Sequence, residues 1–286
     1  SGVEVYDPAR DHNTVSRLEL VAELRRALGA GELVLHYQPK IAFSDRRIVG
    51  VEALLRWEHP TRGLLGPDTF LEVAEQSGLM REVTDVVVAQ ALAQAETWRD
   101  RGLDVPVAVN ITPRDLADAR FTQRLAAGLA AHRLGPQHLR LEVTEHTLMD
   151  ALGVDSRVAA IEELGLELSL DDFGTGYSSL SHLRRLPVTE LKIDRSFVHE
   201  VHRGDAIVRS IVQLAHNLDL VTVAEGVESI EDWRVLRELG CDIAQGNLFS
   251  AALPAEQATA CLAKGRLAPI DEAVPTVGAA AATDPV

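Results

Sequence analysis

The sequence predicts an α/β protein with the fold of a modified TIM (β/α)8 barrel in which the first strand is antiparallel. Eight short apolar runs alternate with longer amphipathic segments, and this number and rhythm are typical of a barrel of eight β/α units. The first connection, residues 40–49, is too short for a crossover helix, so the first two strands should be antiparallel. The predicted strands cover residues 33–39, 49–57, 105–112, 139–145, 166–173, 190–194, 220–226 and 242–246.

The two ends of the chain are expected to lie outside the barrel domain, which we predict at residues 16–266. Residues 1–15 are interpreted as a linker from a preceding domain. A helix is predicted from Ser16, which forms a capping box with the glutamate three residues later, to a stop at Gly29. Residues 267–286 contain prolines and small residues without periodicity, which is typical of a disordered tail.

The second run, VEALLRWEHP at residues 51–60, can be interpreted in two ways. As a helix it would place Glu52 and Arg56 four residues apart, in an ordinary surface ion pair. As a strand it would have one apolar face, and Glu52 would point to the opposite, enclosed side. The run lies between Gly50 and Pro60 and is too short for a typical helix, so we predict a strand.

The same alternation predicts polar side chains that point into the barrel near one rim. The apolar faces of barrel strands pack outward on helices, so the residues of opposite parity face inward. Asp172 has the wrong parity and can join this group only if the chain turns directly after Asp171, which Gly174 and Gly176 would permit. The inward-facing residues predicted in this way are Glu52, Asn110, Glu142 and Asp171.

Later strands add further charged residues to the same rim. Lys192 and Asp194 share one face of their strand, and Glu225 ends the strand that follows. Barrel enzymes carry their chemistry at the C-terminal ends of the strands. Carboxylates that crowd there need a cation, and carboxylate and amide oxygens are the ligands that Mg²⁺ and Mn²⁺ prefer. The pattern predicts a site for two such ions, with Lys192 adding positive charge beside them or beside a developing oxyanion.

Composition and charge exclude several other classes of protein. The chain has 46% hydrophobic and 25% charged residues, and no apolar run approaches membrane-spanning length. The start of the sequence has no signal peptide, so we expect a cytoplasmic segment without membrane contact, although the full-length protein could be membrane-anchored. The net charge of −15 argues against DNA as a partner, because no broad basic surface is available.

Eight motifs occur in the order and spacing of the EAL domain, a family of bacterial phosphodiesterases that open cyclic di-GMP to linear pGpG. The resemblance runs from about Ser16 to about Lys264, and it implies the same modified barrel fold. A single motif would be weak evidence, whereas eight in order are specific. The matching stretches are YQPK, EALLRW, VNIT, LEVTE, DDFGTGYSSL, LKIDRSFV, VAEGVE and QGNLFSAALP.

The resemblance implies a role for each matching residue. Glu225 resembles the residue that acts as general base or helps to hold the water-activating metal, and Lys192 resembles its charge-stabilising neighbour. Gln38, Arg56 and Gln245 match positions on the substrate side. The metal ligands implied by the resemblance are Glu52, Asn110, Glu142, Asp171, Asp172 and Glu225, and the supporting residues are Glu145, Asp194, Glu228, Gly174 and Gly176.

Some of these roles have structural alternatives. Glu145 resembles the anchor of the loop at residues 173–180, but it is equally compatible with a purely architectural role. Arg56 could simply neutralise Glu52, and Asp194 could pair with a neighbouring arginine. Asn247 departs from the family, in which an aromatic residue that could pack against a guanine or the barrel rim is commoner at this position.

The resemblance also implies partners and leaves two other functions open. A homodimer and an upstream GGDEF or sensor domain are expected. A catalytically silent receptor for cyclic di-GMP is one alternative, although such members usually lack one or more of the acids. The other is a different barrel enzyme that binds Mg²⁺ through carboxylates and uses Lys192 as a base next to a carbonyl.

Overall fold

Ten strands form a single sheet in the computed structural model, which describes residues 8–145, 155–174 and 187–266. The strands are β1 Leu33–Ala42, β2 Ile48–His59, β3 Gly63–Leu65, β4 Val107–Asn110, β5 Leu139–Thr144, β6 Glu167–Phe173, β7 Val188–Ile193, β8 Val221–Ala224, β9 Ile243–Ala244 and β10 Leu253–Pro254. The helices are α1 Pro8–Ala30, α2 Leu71–Gln76, α3 Met80–Asp100, α4 Pro113–Ala117, α5 Phe121–Ala131, α6 Asp155–Glu163, α7 Arg195–His199, α8 Ala206–Asn217, α9 Ile230–Glu238 and α10 Ala255–Leu262.

Eight of the strands close into a barrel, which confirms the predicted fold. β1 pairs antiparallel with β2 on one side and with β9 on the other, and the remaining neighbours pair in parallel. The antiparallel start follows from the short connection between β1 and β2, which leaves no room for a crossover helix. The two strands that the sequence analysis did not predict, β3 and β10, extend the edges of β2 and β1.

The ambiguous second run is a strand, so its interpretation as a helix is wrong. Its odd-numbered residues are buried against the outer layer, and the indole of Trp57 lies edge-on to Phe70 with ring centroids 5.5 Å apart. Glu52, on the other face, is only 5% exposed. Burial of the apolar face therefore outweighs the helix propensity of Ala53 and Leu54, as is usual where tertiary packing competes with local preference.

The first helix corrects one prediction. It begins at Pro8, and not at Ser16, and it continues to Ala30. Proline is favourable in the first turn of a helix because its missing N–H would be unpaired there, and serine is tolerated inside a helix. The chain leaves the helix at Gly31, whose φ of +73° is accessible to glycine at little cost. The first seven residues and the predicted tail at 267–286 lie outside the described residues.

The helices surround the barrel, and none of those described could span a bilayer. Among the described residues, no helix combines the length and hydrophobicity that a crossing requires. Two of the short helices begin with capping boxes, at Thr112 before α4 and at Ser229 before α9. These boxes fix the chain directly after β4 and shortly after β8, at the strand ends that carry Asn110 and Glu225.

Candidate metal-binding and catalytic site

Lys192 lies at the centre of a ring of carboxylates inside the barrel. Its side chain is 1% exposed and projects inward from β7. Its Nζ contacts carboxylate oxygens from four other strands or strand ends. The contacts are with Glu225 at 2.7 Å, Glu142 at 2.9 Å, Asp171 at 3.1 Å and Glu52 at 3.4 Å. The structure thus brings together the acids that alternation placed at the rim, and it adds a buried cation between them.

Asp172 reaches the same site through a local distortion of β6. Its φ is +54°, in the left-handed region, and the pairing of β6 with β7 shifts register between Leu170 and Phe173. The Asp172 N–H donates to Asp171 Oδ1 at 2.9 Å, which supports this turn. Oxygens of Asp171, Asp172 and Glu225 all lie within 4.8 Å of one another. The turn therefore occurs at Asp172 itself, ahead of Gly174.

A set of amide side chains fixes the other edge of the site around Glu52. Asn110 donates to Glu52 Oε1 at 2.9 Å, and Gln245 donates to Glu52 Oε2 at 2.6 Å. Gln245 also donates to Gln38 Oε1 at 3.0 Å, and Gln38 in turn donates to the Ser250 carbonyl at 3.0 Å. These bonds hold both Glu52 oxygens and join four of the predicted site residues in one network.

The position of Gln245 depends on a close backbone approach at the next residue. A Cβ on Gly246 would lie 2.3 Å from the Val227 nitrogen and 2.2 Å from its oxygen, so only glycine fits. The Val227 N–H donates to the Gln245 carbonyl at 3.0 Å, and the Gln245 backbone N–H donates to the Ala224 carbonyl at 2.8 Å. The backbone on either side of Gly246 is therefore held against the end of β8.

Burial and mutual repulsion set the charges in the site. Burial, with the carboxylates of Asp171 and Glu52, raises the pKa of Glu225 to about 8, although Lys192 opposes the shift. Burial likewise raises the pKa of Glu52, with Glu142 adding to it. Glu142 behaves differently: burial opposes its ionisation, but Lys192 and Lys40 outweigh burial and lower its pKa to about 2. Glu142 is thus firmly ionised at neutral pH, whereas Glu225 can carry a proton there.

Arg56 and Asp194 lie at the margin of the carboxylate ring around Lys192. Arg56 is partly buried, and its Nη1 donates to the carbonyl of Leu55 at 2.8 Å. No ion pair at contact distance joins Arg56 to Glu52 in the described part of the chain, but burial lowers the pKa of Arg56 and the nearby charge of Glu52 opposes that shift. Asp194 caps α7, with Oδ1 accepting from the Ser196 N–H at 2.9 Å, and it lies close enough to Asp172 to influence its pKa.

Glu145 and Glu228 also lie outside the central ring. Glu145 is buried and its Oε2 accepts from the Gly174 N–H at 3.2 Å, at the start of the glycine-rich loop. Residues 175–186, which include Gly176 and most of that loop, are outside the described residues. Glu228 is exposed and accepts a bond of 3.4 Å from Asn247. No contact between described residues joins Glu228 to the carboxylate ring.

The structure also reveals charged residues below the site that the sequence analysis did not single out. Lys40 is 2% exposed and lies 2.7 Å from both Glu142 and Glu190, and Glu190 also accepts from Arg140 and Ser169. Strand alternation could have found them, because each lies two residues from an assigned position on the same inward face. Lys40 follows Gln38 in this way, Arg140 precedes Glu142, and Glu190 precedes Lys192.

The donor set fits a hard divalent cation. Carboxylate oxygens and the Asn110 amide suit Mg²⁺ or Mn²⁺, whereas Zn²⁺ favours histidine and cysteine. Among the residues that the structure describes, Asp171, Asp172 and Glu225 are the one group of three or more acidic, histidine or cysteine side chains spaced to hold an ion. Glu225, which retains a proton without metal, can become a ligand only by losing it.

Comparisons with known proteins place this geometry in a family context. The family model of the EAL domain matches residues 21–252 of this chain. The chain is 44% identical over 92% of its length to MucR of Pseudomonas aeruginosa, a bifunctional diguanylate cyclase and cyclic di-GMP phosphodiesterase. It is 42% identical over 83% of its length to the cyclic di-GMP phosphodiesterase NbdA of the same organism. It spans only 39% and 31% of these two relatives.

The fold of this chain is also similar to that of a solved structure. The phosphodiesterase part of PaMucR, in complex with c-di-GMP, superposes with a TM-score of 0.81 at 44% sequence identity. The superposition covers 84% of this chain and 99% of that one.

Proposed function

Because the chain belongs to the EAL domain family, we propose that it is a metal-dependent phosphodiesterase that hydrolyses cyclic di-GMP to linear pGpG. The observation that carries this proposal is the convergence of five carboxylates and one amide around Lys192 at the C-terminal ends of the barrel strands. The close relatives are named for this activity, and one related structure contains c-di-GMP.

The acids of the site would hold two divalent ions, Mg²⁺ or Mn²⁺. When bound, such ions lower the pKa of a water molecule and neutralise the phosphodiester. This also explains how a chain of net charge −15 can accept an anionic nucleotide. The proposed ligands are Glu52, Asn110, Glu142, Asp171, Asp172 and Glu225.

Glu225 and Lys192 would carry out the proton and charge steps. The water oxygen would attack phosphorus, the bond from phosphorus to one ribose 3′ oxygen would break, and that oxygen would take up a proton to become a 3′ hydroxyl, so the product keeps a 5′ phosphate. Glu225 is suited to accept the proton of the attacking water, because its carboxylate lies beside Lys192 and beside the Asp171 and Asp172 oxygens at the proposed ion site. Lys192, which carboxylates hold on several sides, would stabilise the negative charge that develops on the phosphoryl oxygens.

Three polar residues would contact the substrate. Gln245 Oε1 is buried and has no hydrogen-bond partner among the described residues, which suits an acceptor that awaits a ligand. Gln38 lies beside it in the same network, and Arg56 stands four residues beyond Glu52 on the same inward-facing parity of β2. Arg56 carries a positive charge that suits a phosphate.

The alternatives are less well supported. A silent receptor would be expected to lack one or more acids, yet every acid named above is present. Because the chain spans less than half of its relatives, an upstream GGDEF or sensor domain and a homodimer also remain proposals. Sedimentation of the purified chain would test the dimer.

A hydrolysis assay tests the proposed function directly. Purified protein is incubated with cyclic di-GMP and either Mg²⁺ or Mn²⁺ at mildly alkaline pH, and the linear product is separated and quantified. We expect pGpG to form only with metal and to disappear with a chelator. Tight binding without product with either metal would favour the receptor, and absence of binding would favour an unrelated substrate.

A further inference from the structure

We propose that Lys40 and Glu190 are positioning residues of this site, which hold the Glu142 carboxylate in place from below. The inference rests on the proposed function, because it assigns these two residues to the metal site. Neither residue lies in the ring around Lys192. Both act through Glu142, whose carboxylate contacts Lys192 through one oxygen and Lys40 through the other.

The two Glu142 oxygens have different partners. Lys40 Nζ donates to Oε1 at 2.7 Å, and Lys192 Nζ donates to Oε2 at 2.9 Å. The Glu142 side chain is fully buried, so water cannot replace either partner. The bond from Lys40 fixes the rotation of the carboxylate and leaves Oε2 as the oxygen that faces the site.

Lys40 is itself held by Glu190. Its Nζ lies 2.7 Å from Glu190 Oε1, and the Ser169 hydroxyl donates to the same oxygen at 2.8 Å. Arg140 donates from Nη1 to the other Glu190 oxygen, and its Nε donates to Glu167 at 3.0 Å. Charges of opposite sign therefore alternate through the barrel. In spatial order, each side chain contacting the next, these residues are Glu167, Arg140, Glu190, Lys40, Glu142 and Lys192.

Stability alone does not account for this arrangement. The interior of such barrels is usually filled by branched apolar side chains. Replacing a buried ion pair by apolar residues of similar size is often neutral or stabilising, because both charges must lose their hydration when the chain folds. The Lys40–Glu190 pair supplies a fixed partner for Glu142, and partners of this kind set the orientation and affinity of metal ligands.

A double variant, K40M/E190Q, tests the inference. It removes one positive and one negative charge together, so the remaining charges of the interior stay balanced. K40M alone would leave Glu142 and Glu190 without a common partner and is expected to be much less stable. The readout is Mn²⁺ affinity measured by calorimetry. We expect the double variant to bind Mn²⁺ about 10- to 100-fold more weakly than the wild type.

Three further variants complete the experiment. E167Q changes the partly exposed outer end of the chain of charges, and it should bind Mn²⁺ as the wild type does. If K40M/E190Q does not fold, K40Q/E190Q keeps polar groups in the same space, and the same loss is expected because glutamine is too short to replace the lysine. E190Q alone leaves Lys40 beside Glu142 but removes the charge that holds Lys40, so its Mn²⁺ affinity should lie between those of the wild type and the double variant, and wild-type affinity in E190Q would overturn the role of Glu190.

The outcomes separate the two proposals. A folded double variant with wild-type Mn²⁺ affinity would overturn the inference, even if the protein cleaves cyclic di-GMP. A wild-type protein that binds Mn²⁺ but never forms pGpG would overturn the proposed function alone. A wild-type protein that binds no Mn²⁺ would overturn both.

Discussion

Lys192 and Glu225 show how individual residues acquire unusual properties inside the barrel. Each is an ordinary ionisable side chain in the sequence, but their contact of 2.7 Å occurs where water is largely excluded. Burial penalises both charges, and their neighbours decide which charge persists: the surrounding carboxylates raise the pKa of Lys192 well above its usual range despite burial. Lys192 is thus always a cation, and Glu225 is the group able to exchange a proton near neutral pH.

Glu225→Gln tests whether Glu225 acts as a base or as a ligand. The substitution keeps the size of the side chain and removes its basicity. If Glu225 is the base, kcat should fall by about 100- to 10,000-fold while the Kd for cyclic di-GMP changes little. Steady-state kinetics and calorimetry give the two quantities. A parallel loss of Mn²⁺ affinity would instead assign Glu225 to holding the metal.

The pH dependence of metal binding follows from the same residue. In the metal-free protein Glu225 has a pKa of about 8, so it carries a proton at pH 7 that a cation must displace. Mn²⁺ affinity should therefore increase as the pH rises toward 8, by up to about tenfold per pH unit for one released proton, and level off above it. Calorimetry at several pH values measures this, and Glu225→Gln should flatten the curve. A flat wild-type curve would contradict the prediction.

At the scale of single elements, the end of β6 determines the composition of the site. A regular strand would direct Asp171 and Asp172 to opposite faces. The left-handed conformation of Asp172 breaks this alternation, so two adjacent carboxylates reach one site. The conformation is costly for a residue with a Cβ, and backbone strain of this kind is often found at functional sites.

Paired substitutions at Asp172 test this distortion. Asp172→Gly and Asp172→Ala both remove the carboxylate and should weaken Mn²⁺ binding equally. The glycine variant should be about 1 kcal/mol more stable, because alanine is strained at positive φ. The same pair at Asp100, the exposed last residue of α3, should give the opposite order, since alanine is the better helix former. Denaturant unfolding measures all four free energies, and equal stabilities at Asp172 would refute a left-handed conformation there.

At the scale of the whole molecule, the proposed metal binding should be linked to folding. The proposed ligands come from β2, β4, β5, β6 and the end of β8, so only the closed barrel brings them together. A cation that binds only this state stabilises it by about 2.7 kcal/mol at a hundredfold excess over Kd. For a domain of this size, such a gain corresponds to an increase in Tm of roughly 5 to 10 °C.

Thermal unfolding with and without Mn²⁺ checks this linkage. The wild type should show an increase in Tm that grows with Mn²⁺ concentration and is reversed by a chelator. Glu52→Ala removes one proposed ligand, and it should require more Mn²⁺ for the same increase. If Mn²⁺ shifts the Tm of both proteins equally, Glu52 is not a ligand.

Strand alternation accounts for most of what could be predicted. It identified Glu52, Glu142 and Asp171 as inward-facing, because the direction of a side chain is a local property of a strand. The capping pattern did not locate the start of α1, since Ser16 and Pro8 are both acceptable near the start of a helix and the choice depends on the surrounding chain. The family resemblance, and not alternation, assigned Glu228 a supporting role, and in the structure Glu228 is exposed beside Asn247.

The sequence by itself determined the barrel, its antiparallel first strand and the set of acids that face its interior. Each of these follows from local alternation, connection length and the order of motifs along the chain. The tertiary structure decided which atoms meet: the four contacts of Lys192, the link from Lys40 to Glu142 and Glu190, and the approach of Gly246 to Val227. These contacts depend on the relative stagger of strands that lie far apart in sequence, and closure of the barrel fixes that stagger.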